Sequence, residues 1–385
     1  MTFYRLMAII KVNFQIINYF IFGDGDIQEF DIRIDHESDS GRVGFLCPYT
    51  VEEIIHAGGF IPVRISPQYP TREFADAYLP ANFCPYLRHV VDLGVKGAFR
   101  DYMSVVVAHT CDGARRIYDI LNTYVRGVDF IFLDIPKRTD QTAVFYFREQ
   151  LLRMVQFFER RSGKSIRMEH IRGAIALYNE NRELLERIYS LRGMAPFIMS
   201  SEEAAGILEI NAMSSKERTT PLLRSIVESI ERSDLHSVKF TDRKRVFVSG
   251  NLLDYKSYLG EIERAGGEIV GDDFCFGGRY YSGKVATGDD PLLELSKRYL
   301  SRIPCGRMEH YQERFDHIVG RVRLSNATGV IYLGLKFCDN FLTDYPLLKK
   351  RLDEEGIPSL FLESEYFPAG TGQLRTRVEA FIEMI

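Results

Sequence analysis

The stretch SVVVAHTCDGARRIYDILNTYVRGVDFIFLD, residues 104–134, alternates between apolar runs and a segment with helical periodicity. Its two apolar runs, Ser104–Ala108 and Phe130–Asp134, are rich in β-branched and aromatic residues, which indicates buried strands. Between them, the spacing of apolar residues predicts a helix over Gly113–Tyr124. A strand, a helix and a second strand in this order predict a right-handed crossover, and therefore a mostly parallel sheet.

The same alternation is found nearer the N-terminus. From Val43 onward the sequence predicts two strands and two helices. A turn at Ser66-Pro67 ends the second strand. These elements are strand Val43–Leu46, helix Val51–Ala57, strand Phe60–Ile65 and helix Leu87–Phe99. Together with residues 104–134 they define a first α/β domain, which we place at residues 41–140.

The signal then changes to helix alone. Apolar residues recur at spacings of three and four from Val144 to Phe158, which is typical of helix faces that pack in a core. We therefore predict a helical domain at residues 141–240. The charged stretch from Glu231 to Arg245 contains turn-forming residues and indicates the next boundary.

A second α/β domain is predicted at residues 241–385. Its predicted elements are strands 245–249, 268–270, 330–335 and 359–362 and helices 255–265 and 375–384. The chain of 385 residues is long enough for more than one core, since single cores stop growing at about 250–300 residues. The predicted fold class is α/β, with two parallel-sheet lobes and a helical insert between them.

Charge and the N-terminus exclude several classes of partner. The 49 basic and 53 acidic residues give a net charge of −4, which favours neither nucleic acid nor an anionic membrane. Residues 1–40 are predicted to be an accessory segment, because Arg5 and Lys11 interrupt its apolar part before it reaches the ~18 residues that span a bilayer. No secretory cleavage site follows. The six cysteines therefore indicate a reducing compartment, and we predict a cytoplasmic protein.

Three cysteines stand in distinctive contexts: NFCPY at 82–86, HTCDG at 109–113 and KFCDN at 336–340. Cys111 and Cys338 follow predicted strands, and ligands collect at the carboxyl ends of parallel strands. If the fold brings Cys84 to the same place, three thiolates with one open position suit an iron–sulfur cluster. The alternative is that each cysteine is a small buried hydrophobic residue. No closely spaced pair of cysteines supports a zinc site.

Several segments resemble the 2-hydroxyacyl-CoA dehydratase and benzoyl-CoA reductase family, the 2-hydroxyglutaryl-CoA dehydratase D-component group. GFLCP at 44–48 and EEIIHAGGFIPV at 52–63 resemble its opening motif, and the contexts of Cys84, Cys111 and Cys338 are similar to its three cluster-ligand motifs. Further similar segments are DDFC at 272–275, RYL at 298–300, IPC at 303–305 and GQLRTRVEAFIE at 372–383. The resemblance runs in order from Gly41 to the C-terminus.

The resemblance implies two flavodoxin-like lobes and a [4Fe–4S] cluster held by Cys84, Cys111 and Cys338. It also implies a related second subunit, in a heterodimer or a homodimer, and a separate ATP-hydrolysing iron–sulfur activator protein that donates one electron. In the dehydratases this electron makes a ketyl radical from an acyl-CoA thioester, and the radical expels the 2-hydroxyl group to give an enoyl-CoA. In the reductases the bound thioester compound is reduced instead. The sequence leaves both activities open.

One acid, one histidine and the other three cysteines complete the candidate residues. We expect Cys47 to lie at the active site as a catalytic residue, and Cys275 and Cys305 to be structural. Glu53 is the candidate catalytic base, although an acid in the first turn of a helix is also stabilised by the helix dipole. His109 either donates a proton or hydrogen-bonds to a neighbour.

Two further functions remain as alternatives. A double-cubane-cluster reductase of small molecules would need more ligands in the second α/β domain. Asn251 weighs against it, because many relatives carry a cysteine after the strand that precedes it. A non-catalytic companion subunit that relays electrons is the other alternative. The chain lacks a GxxxxGK[ST] loop, so we expect no nucleotide hydrolysis on this chain.

Overall fold

The computed structural model describes residues 41–68, 70, 73–195, 198–232, 242–251, 255–367 and 371–385. The accessory segment predicted at residues 1–40 lies outside the described residues. Within the described ranges, no helix is both long and apolar enough to cross a membrane.

The described strands form two four-stranded sheets with the same topology. The first consists of β1 Arg42–Phe45, β2 Ile61–Arg64, β3 Tyr102–His109 and β4 Asp129–Asp134, in the order β2-β1-β3-β4. The second consists of β5 Lys244–Gly250, β6 Gly267–Asp272, β7 Gly329–Leu335 and β8 Ser359–Ser364, in the order β6-β5-β7-β8. All strand pairings are parallel, so the carboxyl ends of each sheet share one edge.

Helices connect the strands and separate the two sheets along the chain. The first lobe contains α1 Glu52–Ala57, a short 3-10 helix Ala75–Ala77, α2 Pro85–Val95 and α3 Asp112–Tyr124. The described helices between the lobes are α4 Gln141–Ser162, α5 Met168–Met194, α6 Ser201–Met213 and α7 Lys216–Glu231. The second lobe contains α8 Tyr255–Arg264, α9 Gly278–Tyr281, α10 Pro291–Ser301, α11 Tyr311–Leu324, α12 Asp339–Glu354 and α13 Thr371–Met384.

The central strands explain why the sheets are parallel and fully covered. Three consecutive residues of β3, Val105–Val107, have 0% exposure, and so do the four residues Val330–Leu333 of β7. A strand with only one buried face would alternate between apolar and polar residues. These unbroken apolar runs are typical of strands that helices cover on both faces.

The fold class predicted from the sequence is confirmed, and the predicted strands differ from the observed ones by only a few residues. The helix predicted at Leu87–Phe99 is displaced by a few residues and runs from Pro85 to Val95. Proline suits the first turn of a helix, so α2 begins directly after Cys84. It ends before Gly97, whose φ of +86° does not continue a helix. The domain boundaries at residues 140 and 240 stay a prediction.

A buried ion network fixes the second lobe around β5. The guanidinium of Arg314 in α11 donates from Nε to Asp273 at 2.9 Å and from Nη2 to Ser249 at 3.0 Å, and it also pairs with Asp344 of α12. The hydroxyl of Tyr332 donates to Asp344 at 2.7 Å. Arg314, Asp273 and Asp344 are all buried, so their charges must compensate one another within the network. The network holds α12 against the sheet.

We predict that Arg314→Leu lowers the free energy of unfolding by about 3–5 kcal/mol, because it leaves the buried Asp344 without its cation and Asp273 with only Arg279, at 3.6 Å. Urea unfolding at pH 7, monitored by circular dichroism, measures this loss. The matched control is Arg351→Ala, which removes a partly exposed cation that lies 3.2 Å from Asp316. Its expected cost is below about 1 kcal/mol. Equal losses in the two variants would contradict the role of the network.

Candidate functional site

Cysteines collect at the carboxyl ends of both sheets. The four that follow strands β1, β3, β6 and β7 are Cys47, Cys111, Cys275 and Cys338. Cys84 stands at the beginning of α2 in the first lobe. A direct contact joins the lobes here, since the Nδ2 of Asn340 donates to the carbonyl of Thr110 at 3.4 Å. The two sheets therefore direct their carboxyl ends toward a shared space.

The three cysteines predicted as ligands occupy the same structural position. Cys84, Cys111 and Cys338 are the N-cap residues of α2, α3 and α12. The Sγ of Cys111 accepts a hydrogen bond from the backbone N–H of Ala114 at 3.2 Å. The positive end of the helix dipole favours a thiolate at such a position, and a thiolate is the form that binds metal.

These three thiols also influence one another. Burial, followed by the charges of Cys338 and Cys111, raises the pKa of Cys84 well above its ordinary value. Burial, followed by the charge of Cys111, raises the pKa of Cys338 to about 12. Burial raises the pKa of Cys111 to about 11. The structure thus brings together two cysteines of the first lobe and one of the second.

The other three cysteines lie in the same region. Cys275 and Cys305 hydrogen-bond to each other, and this bond is the largest cause that lowers the pKa of Cys305 to about 5. Burial, followed by lesser effects that include the charge of Cys305, raises the pKa of Cys47. The charge of Cys305 also raises the pKa values of Cys111 and Cys338, after burial. Cys275 and Cys305, expected to be structural, are therefore neighbours of the site, and no spacing in the sequence indicated this.

The donor set does not suit a single metal ion. Among the described residues, no three His, Cys, Asp or Glu side chains come close enough together to hold one ion. A lone zinc ion needs sulfur ligands at about 2.3 Å from one centre. Thiolates of an iron–sulfur cluster bind different irons and stand farther apart. Three mutually interacting thiols at helix N-termini therefore fit a cluster better than a single ion.

Local backbone geometry is unusual beside Cys338. Phe337 has a φ of +58°, which is rare for a bulky residue, and strained positions of this kind cluster at functional sites. Its side chain is 43% exposed. Asn251 accepts a hydrogen bond from the N–H of Leu335 at 3.1 Å, and its side chain also hydrogen-bonds to Cys338. Asn251, which the sequence analysis weighs against further cluster ligands, therefore touches a predicted ligand.

Glu53 lies in a buried ion pair rather than free at the site. It is fully buried in the first turn of α1, pairs with Arg182 of α5 and accepts a hydrogen bond from the Tyr299 hydroxyl at 2.7 Å. Burial alone would raise its pKa, but the charges of Arg182 and Arg298 and these hydrogen bonds hold it below the ordinary value. A carboxylate held in this way is a weak base. The contacts favour a positioning role, and the catalytic role stays a prediction.

Glu52 faces a second buried cation. Its carboxylate accepts a hydrogen bond from the Tyr280 hydroxyl at 3.0 Å and lies 3.3 Å from the Nζ of Lys216. These residues line a small cavity of about 10 Å³ between the lobes and the helical segment. The buried hydroxyl of Tyr178, which also lines the cavity, has no hydrogen-bond partner among the described residues. Sequence analysis missed this cluster, because its members are distant in the chain.

His109 has a carboxylate partner. Its Nδ1 lies 2.7 Å from Asp134 at the end of β4, and the hydroxyl of Tyr146 donates to the same carboxylate at 2.6 Å. Burial opposes ionisation of Asp134, but hydrogen bonds from Tyr146 and His109 hold its pKa below the ordinary value. The contact with Asp134 thus fixes the ring orientation of His109, two residues before Cys111.

The fold and the site together define a class of protein: two parallel-sheet lobes that direct cysteines into one space. The family described as 2-hydroxyglutaryl-CoA dehydratase, D-component, matches residues 47–385. This match covers most of the chain, and the chain therefore belongs to that family. The family resemblance found in the sequence is confirmed.

Curated relatives cover nearly the whole chain at low identity. The (R)-phenyllactyl-CoA dehydratase beta subunit of Clostridium sporogenes is 25% identical over 91% of this chain and 94% of its own length. The beta subunit of lactoyl-CoA dehydratase of Anaerotignum propionicum is 26% identical over 91% of this chain and 93% of its own length. One of the subunits of benzoyl-CoA reductase of Thauera aromatica is 24% identical over 88% of this chain and 89% of its own length. The similarity extends to dehydratases and a reductase alike, so it does not choose between them.

We predict that Glu53→Gln destabilises the protein in a pH-dependent manner. The lowered pKa of Glu53 means that its ion pair contributes stability above its unfolded value, near 4.5, and that this stability is lost as the pH falls through the lower folded value. The free energy of unfolding of the variant should therefore fall below that of the wild type at pH 7, and the difference should narrow below pH 4.5. Urea unfolding across this range measures it.

The control for this prediction is Glu183→Gln, which removes an exposed carboxylate that pairs with Lys284. Its effect should be small at every pH because exposed ion pairs contribute little. A destabilisation by Glu53→Gln that stays constant from pH 7 to pH 3 would contradict the ion-pair account.

Proposed function

We propose that this chain is the iron–sulfur subunit of a 2-hydroxyacyl-CoA dehydratase or a benzoyl-CoA reductase-like enzyme, acting on an acyl-CoA thioester. Cys84, Cys111 and Cys338 would hold a [4Fe–4S] cluster. Such a cluster, when bound, supplies single-electron transfer and one iron that is free to polarise a substrate oxygen.

The observation that carries this proposal is the shared position of the three cysteines. Each one caps a helix at the carboxyl end of a parallel sheet, and their thiols influence one another across the two lobes. Three ligands leave a fourth position open for substrate, whereas a pure electron carrier would use four. Family membership supports the same function, because relatives named as dehydratase and reductase subunits cover the chain.

Residues around the cysteines would keep water out of the site, which radical chemistry on a thioester requires. Tyr86, which follows Cys84-Pro85, is buried and packs on Tyr366 of the second lobe with ring centroids 5.3 Å apart. Its hydroxyl donates to the carbonyl of Ile65 at 2.9 Å. His109, oriented by Asp134, would hold or deliver a proton at Nε2.

The proposal includes partners and a location. Relatives named as beta subunits favour a related second subunit for this chain, in a heterodimer or a homodimer. A separate ATP-dependent iron–sulfur activator would deliver the electron. We place the complex in the cytoplasm, where a reducing environment keeps the thiols free to bind iron.

A double-cubane-cluster reductase is the second candidate, and one observation favours it. Cys47, Cys275 and Cys305 lie beside the first three cysteines, so six thiols share one region. Asn251 weighs against this function, but Cys275 and Cys305 would supply the additional ligands that it needs in the second lobe.

The proposal predicts different results for two cysteine variants. Cys111→Ala should abolish both iron retention and turnover, because it removes a thiolate that bonds iron. Cys275→Ala should retain iron, since it removes a thiol outside the ligand set and costs on the order of 1–2 kcal/mol of stability. Anaerobic purification followed by iron counting and electron paramagnetic resonance (EPR) measures cluster content.

The outcomes separate the candidate functions. Retention of iron by Cys275→Ala alone supports the dehydratase or reductase assignment. Equal iron loss in both variants contradicts the division of the six cysteines and favours the double-cubane reductase. Circular dichroism of both variants shows whether the fold has survived, so iron loss can be assigned to ligation.

A further inference from the structure

Two buried arginines beside the cysteines have no carboxylate partner. Arg302 follows α10 and is 7% exposed, and Arg307 is 6% exposed. Arg302 donates from Nη1 to the carbonyl of Arg279 at 3.3 Å, and Arg307 donates from Nη2 to the carbonyl of Ile135 at 2.7 Å. Among the described residues, no carboxylate lies within ion-pair distance of either guanidinium.

Buried charges in proteins are normally paired, because an isolated one has lost its water without compensation. In the same lobe, Arg314 lies 2.9 Å from Asp273 and Arg279 lies 3.6 Å from it, whereas the buried Arg298 donates to backbone carbonyls. Asp134 does feel the charge of Arg307, but it already accepts hydrogen bonds from His109 and Tyr146. Neither guanidinium therefore has a carboxylate in direct contact, and an anion of another kind beside them would compensate their charge.

The two guanidinium groups converge on one aromatic ring. The Cζ atoms of Arg302 and Arg307 lie 4.1 and 5.6 Å from the ring centroid of Tyr49. The Nε atoms of both arginines and the hydroxyl of Tyr49 are buried without a hydrogen-bond partner among the described residues. Three donors around one ring are thus left without an acceptor.

Thiols that can become anionic lie close to both arginines. Cys305 lies between the two arginines in the sequence, and Cys47 lies just before Tyr49. Burial raises the pKa of Cys47, whereas the charge of Arg302 lowers it. The charge of Arg307 likewise opposes the effect of burial on Cys111. Both cations therefore act on the space that the thiols share.

We propose that Arg302 and Arg307 supply the counter-charge for the iron–sulfur group and raise its reduction potential. The inference rests on the proposed function, since it requires the group to be bound by the cysteines. Reduction adds a negative charge in a buried place, where two fixed positive charges stabilise the reduced state more than the oxidised one. Net charge and hydrogen bonds around a cluster are known to set its potential. Both arginines act through charge and need not touch the substrate.

The test compares charge removal with charge retention at the same positions. Wild type, Arg302→Gln, Arg302→Lys, Arg307→Gln and Arg307→Lys are reconstituted anaerobically with ferrous iron and sulfide. The midpoint potential of each is measured by a redox titration followed by EPR. Both glutamine variants should have a more negative midpoint than the wild type, and both lysine variants should lie closer to the wild type. Arg224→Gln, which removes an exposed cation of α7, should not shift it.

Each outcome either supports or overturns the role proposed for the two arginines. Equal potentials in the wild type and the glutamine variants overturn the inference, while iron uptake by the wild type leaves the proposed function intact. Iron uptake that fails in glutamine variants but succeeds in lysine variants supports the inference, because charge alone separates them. Equal failure in both kinds of variant overturns it in favour of a packing role. A wild type that takes up no iron contradicts the proposed function and, with it, this inference.

Discussion

Two adjacent buried carboxylates, Glu52 and Glu53, join the three parts of the chain. They belong to α1 in the first lobe, their cationic partners Lys216 and Arg182 come from the helical segment, and the hydroxyls that bind them come from Tyr280 and Tyr299 of the second lobe. Neither carboxylate is stable in this place without those partners. The position of one sheet relative to the other, and so the meeting of their cysteines, depends on this cluster.

Charge is balanced in the buried ion pairs but not in the region of the thiols. Glu52 and Glu53 are matched by cations, and so are the two carboxylates around Arg314. The thiol region instead holds uncompensated cations, Arg302 and Arg307, next to groups that become anionic when they bind metal. The second lobe therefore provides counter-charges as well as cysteines, while the first lobe provides most of the helix N-termini that face the shared space.

The sequence predicts the fold well because its signals are local. Unbroken apolar runs mark strands such as β3 and β7, and Cys84 and Cys111 lie just before helices that local patterns predict, whereas no helix is predicted after Cys338. What it cannot predict depends on contacts between distant residues. The partners of Glu53 lie in α5 and α10, and the neighbours of Cys305 come from both lobes. Glu53 therefore looks like a free acid in the sequence, and Cys275 and Cys305 look like isolated structural thiols.

The central claim is that cysteines from both lobes hold one iron–sulfur group between them. Anaerobic crystals of the protein with its cluster, measured at the iron absorption edge, test it most directly. The account predicts a single [4Fe–4S] group whose iron atoms are bonded to the Sγ atoms of Cys84, Cys111 and Cys338. Iron bound anywhere else, or a cluster in which any of these three sulfurs is not a ligand, would contradict it.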